Sequence, residues 1–164
     1  MKSFPRAILA VLVLFLTSCE GAAPLAESFP EKIGGMTRTE FLTGQEALKR
    51  INMLHGKDIE AEDGAVAVYR DGQQSSVVFV TRSASPEIAK AQTEAMLKGM
   101  FENPKGHFSD PVAAEMDGLR VVRFKGLLQA HFIFQVDDAS WWLSTDPASS
   151  GEMLSFFIGQ AKKR

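Results

Sequence analysis

The stretch VAAEMDGLRVVRFKGLLQAHFIFQVDDASWWLST, residues 112–145, decides the fold. It alternates apolar and polar residues with a period of two, and Asp117-Gly118, Lys125-Gly126 and Asp137-Asp138 cut it into four short runs. Alternation interrupted by turn residues is the pattern of an antiparallel meander. Its third run puts Ala130, Phe132, Phe134 and Val136 on one face and Gln129, His131, Ile133 and Gln135 on the other, so the first set is expected in the core and the second outward.

Upstream, residues 65–70 and 76–82 are rich in Val, Phe and Tyr on either side of Asp71-Gly72, which reads as a hairpin. A short edge strand is expected near 36–40, after the Gly34-Gly35 turn. Three helices complete the set. Thr43 and Glu46 form a capping box for a helix over 44–55, closed by Gly56. Ser85-Pro86-Glu87 starts a second that runs to about Phe101, with Ile88, Ala89, Gln92, Met96 and Met100 on one face, and Asn103-Pro104-Lys105-Gly106 stops it. Asp146-Pro147 caps a third, on which Met153, Leu154, Phe157, Ile158 and Ala161 recur at helical spacing. The fold class is therefore α+β: a mainly antiparallel sheet, hairpin plus four-strand meander, packed by about three helices.

The extreme N-terminus has a different character. Lys2 and Arg6 precede ten apolar residues, Ala7 to Leu16, which lead into Leu16-Thr17-Ser18-Cys19. Ten residues of helix reach roughly 15 Å, about half a bilayer core, which argues against a permanent span. Charged-then-apolar order ending in small residues is the anatomy of a secretory signal. With Leu16 three residues before the chain's only cysteine, the segment resembles a bacterial lipoprotein signal peptide and its lipobox. That resemblance implies cleavage before Cys19, diacylation of its sulfur and a stable membrane anchor. Glu20, in place of Asp, implies the outer rather than the inner membrane.

The expected layout is a signal over 1–18, lipidated Cys19 with a flexible tether over 19–28, and one globular domain over 29–164. About 146 residues remain after cleavage, a single-domain length. Lys2 and Arg6 leave with the signal, so the remainder carries a charge near −4, and charge and compartment together disfavour nucleic acid. With Cys19 acylated no disulfide can form, and stability rests on the core. By element order, though by no motif, the domain resembles the Mog1/PsbP-like fold; fold analogy supplies no function.

Reaction signatures are absent from the sequence. There is no Gly-x-Ser-x-Gly elbow, and Ser85, Ser109 and Ser149 read as capping or turn residues. Asp137-Asp138, the best carboxylate pair for an envelope hydrolase, reads more simply as a turn. His55, His107 and His131 would make a metal or haem site if the fold gathered them, and Met53, Met96 and Met100 would add soft copper ligands, but no metal-binding spacing links them. Met96 and Met100, four apart on a helix stripe, also read as core. Trp141-Trp142 is the least bland feature: neighbouring strand residues point to opposite faces, so one Trp is core and the other is either covered by the last helix or offers a stacking surface to a ligand or partner. Lys162-Lys163-Arg164 suits a helix end. The leading expectation is a non-enzymatic, lipid-anchored module facing the periplasm and binding a protein or envelope component. No cofactor is expected, and the oligomeric state is left open.

Overall fold

The computed structural model describes residues 24–102 and 106–164. The signal, Cys19 and the Asn103-Pro104-Lys105 helix stop lie outside the described residues.

Among the described residues a single sheet of eight strands carries the fold. The strands are β1 (Lys32–Ile33), β2 (Met36–Thr43), β3 (Asp63–Asp71), β4 (Gln74–Arg82), β5 (Phe108–Met116), β6 (Leu119–Gly126), β7 (Gln129–Val136) and β8 (Ala139–Thr145). Their order is β1-β2-β3-β4-β8-β7-β6-β5, and every neighbouring pair is antiparallel. The expected hairpin is β3–β4 and the expected meander is β5 to β8. They join in the middle of the sheet, where Val78 of β4 lies opposite Leu143 of β8. The meander's second turn falls two residues later than expected, at Leu127-Leu128, because Gly126 still pairs with Gln129.

Helices α1 (Gly44–His55), α2 (Pro86–Phe101) and α3 (Ser150–Ala161) form where periodicity placed them. Their caps differ. Ser85 accepts a bond from the Ile88 amide, as expected. The Thr43 side chain makes no capping bond; Thr43 is still extended at the end of β2 and the chain enters α1 through Gly44 at φ +59°. At α3, Asp146 does not cap the helix: its Oδ1 accepts from the Ala148 amide in a turn, and the helix begins only at Ser150.

Helices cover both faces of the sheet, which alters the inside-and-outside reading of β7. On one face α3 lays Met153, Phe157 and Ile158 against Phe134, Trp141 and Leu143. Each such side chain contributes about 1.5–3 kcal/mol on burial. A 3₁₀ turn, Leu25–Ser28, packs into this core with Leu25 and Phe29 buried. Among the described residues, packing is already present at Leu25, four residues before Phe29. Tyr69 donates from its hydroxyl to the Pro30 carbonyl at 2.9 Å and the Arg38 guanidinium donates to the Phe29 carbonyl, tying this segment to the sheet. The other face carries α1 over β3 and α2 over β7 and β8. Here Val122, Phe124, His131 and Ile133 are buried, so the supposed outward set of β7 is a second core.

Candidate functional site

α1 and α2 are not closely packed on each other, and residues of both line an opening over the sheet. The resulting groove has a volume of about 840 Å³, within the range of small-molecule sites. Phe79 of β4 and Trp142 of β8 form its floor, their ring centroids 5.8 Å apart and tilted by 42°. Ile51, Leu54 and His55 come from α1, and Met96 and Met100 from α2.

Each wall follows from local sequence. The apolar stripe of α2 holds only Ala89 and Thr93 fully buried, while Met96 and Met100 are half-buried along the groove. Both methionines, expected in the core, stand at its edge, where an adaptable thioether contacts whatever enters. One end of the groove is bridged by residues 56–62. Asn52 holds this loop to α1, its Nδ2 donating to Asp58 Oδ1 at 2.9 Å and its Oδ1 accepting from the Ile59 amide at 3.1 Å. From the other side the Gln92 amide and the Ser83 hydroxyl reach the Glu60 carbonyl. On the α2 side of the floor Thr93 donates to the Ala89 carbonyl at 2.9 Å, with Ser140 Oγ 2.7 Å from Thr93 Oγ1.

The two tryptophans separate as strand geometry requires, one into the core and one toward the groove. Trp141 is the one under α3, stacked on Phe134 (5.9 Å, 4°) and flanked by Phe29 and Phe157. Its indole N–H has no hydrogen-bond partner among the described residues. Trp142 faces the groove, partly exposed, and is not covered by the last helix.

The three histidines do not assemble. His131 is buried behind Trp142, face to face with Phe124 (5.1 Å, 11°) and edge-on to Phe108. Its Nε2 donates to the Gly126 carbonyl at 2.9 Å, which leaves Nδ1 to accept from the Ser144 hydroxyl at 2.8 Å and, at 3.4 Å, from the Trp142 indole N–H. Both ring nitrogens are engaged, so His131 has no lone pair for a metal, and burial pushes its pKa below the usual histidine value against the opposing pull of the Gly126 bond. His55 donates from Nδ1 to the Ile51 carbonyl at 2.9 Å at the end of α1, and it lines the groove with His107. Among the described residues no three His, Cys, Asp or Glu side chains are grouped to hold a metal.

Phe79, Phe108 and Asn52 escaped the sequence reading. The first two were strand apolars like many others, and only the gap between two helices distinguishes them. Asn52 had a faint signal, a polar residue inside an apolar helix run before an acidic loop. No protein-family model, curated protein or solved structure matches this chain.

Proposed function

We propose that this protein is a lipid-anchored envelope lipoprotein that works by binding, and that the groove between α1 and α2 is where it binds. The observation that carries the reading is the groove itself: an aromatic floor, methionine walls and hydroxyls already engaged with backbone carbonyls make a surface suited to apolar contact rather than proton transfer. The ligand class that fits is a small amphipathic molecule or an apolar side-chain cluster of an envelope partner, its flat or aliphatic part lying on Trp142 and Phe79. The lipobox supports anchoring at Cys19 on the periplasmic side, with Glu20 favouring the outer membrane.

Titration with the neutral apolar dye N-phenyl-1-naphthylamine tests the site. A saturable fluorescence rise is expected, weakened about tenfold or more by Trp142→Ala, which corresponds to about 1.4 kcal/mol, and little changed by Met53→Ser on the solvent side of α1. Equal binding by the wild type and Trp142→Ala at unchanged melting temperature would place the dye elsewhere and remove the basis for the groove.

A further inference from the structure

The β6–β7 hairpin turns on Leu127-Leu128, and both leucines stand in the left-handed region, at φ +52° and +62°. Two successive positive φ values joining paired Gly126 and Gln129 make the tight hairpin turn that favours Asn-Gly, since a branched side chain is strained there. The same two leucines are also exposed, Leu127 by 66% and Leu128 by 97%. Neither local backbone preference nor the core accounts for them. The first turn of the meander obeys the usual chemistry, Asp117-Gly118 at φ +51° and +75°, so the topology does not demand leucine.

We propose that the Leu127-Leu128 tip dips into the lipid bilayer and is a second membrane contact of the anchored domain. This rests on acylation at Cys19. The tip is convex, which suits insertion between head groups. The chain between Cys19 and Leu25 extends at most about 22 Å, so an acylated Cys19 keeps the domain close to the bilayer and raises the effective concentration of lipid at its exposed apolar features. Lys125 flanks the tip on β6, its ammonium 3.8 Å from Asp110, so the turn brings no unpaired carboxylate with it. Two buried leucines would supply apolar contact that an acyl chain alone does not, and would fix which way the groove faces.

The test uses the full lipidated chain in vesicles of phosphatidylethanolamine and phosphatidylglycerol, with a nitroxide on Gln129→Cys, the only free thiol once Cys19 is acylated. Collision with oxygen is expected to exceed collision with a water-soluble nickel chelate at this site, and the reverse is expected at Glu115→Cys on the exposed edge strand. Replacing the turn by Leu127→Asn with Leu128→Gly should raise the melting midpoint by about 3–6 °C and abolish the oxygen preference. A nitroxide at 129 that stays in water while the N-terminal peptide has its acyl mass overturns the tip contact and leaves the anchor standing. An unacylated Cys19 with no vesicle retention overturns both, and a lower midpoint for the Asn-Gly turn overturns the strain on which the proposal stands.

Discussion

His131 shows how one buried side chain can hold a site together without entering it. It stacks on Phe124, takes the Trp142 indole N–H and reaches the Gly126 carbonyl, linking the groove floor to the β6–β7 turn. Neutrality is a condition of this arrangement, since Nδ1 must accept. The unfolded imidazole takes up a proton near pH 6.5 and the folded one only at lower pH, so folding stability is full above about 6.5 and is lost as the pH falls toward the folded value. Chemical denaturation of the wild type and His131→Phe between pH 7.5 and roughly 5 should show a slope in the first that is reduced in the second. Gly126 is fixed for a different reason: a Cβ there would lie 2.5 Å from Phe108 Cδ1 and 2.7 Å from the His107 carbonyl oxygen. Gly126→Ala is therefore expected to cost about 1–3 kcal/mol through overpacking, read as a lower denaturation midpoint. At the alkaline end, burial drives the Tyr69 hydroxyl up to about 12, with Arg38 opposing, so stability present below pH 10 is lost as the pH rises toward 12.

At the scale of the element, adjacent residues of β8 separate two kinds of role. Trp141 belongs to the α3 core, and Trp141→Ala should cost about 3–5 kcal/mol, measured as a shift in denaturant midpoint. Trp142→Ala should cost distinctly less because its ring is already part-open to the groove. The periodicity of residues 112–145 made all four meander strands legible, and the 3.6-residue stripes did the same for the helices, because both patterns are imposed by a nearby apolar surface. The caps at Thr43 and Asp146 were less legible, since a capping residue type is shared with ordinary turns and only the entry geometry decides between them. Alternation also misassigned the second face of β7: Gln129 and Gln135 look outward from composition, yet His131 and Ile133 between them are covered by α2 and the Phe108 ring. The groove was illegible because it is a gap between α1 and α2, two segments separated by the whole β3–β4 hairpin.

For the whole molecule, the proposed membrane address and the open groove of a doubly covered sheet act together. No helix among the described residues is long and apolar enough to cross a membrane; in the proposed reading Cys19 does the work of attachment. Cys19→Ser should leave a folded domain with an unchanged melting temperature that moves from the membrane pellet to the soluble fraction. Native mass spectrometry of the protein extracted from its own envelope most directly joins anchor and groove in one reading. The account predicts an acyl-modified chain starting at Cys19 that carries a non-covalent companion mass, present in the wild type and absent from Trp142→Ala. A bare, unacylated chain, or a companion mass retained in Trp142→Ala, would contradict it.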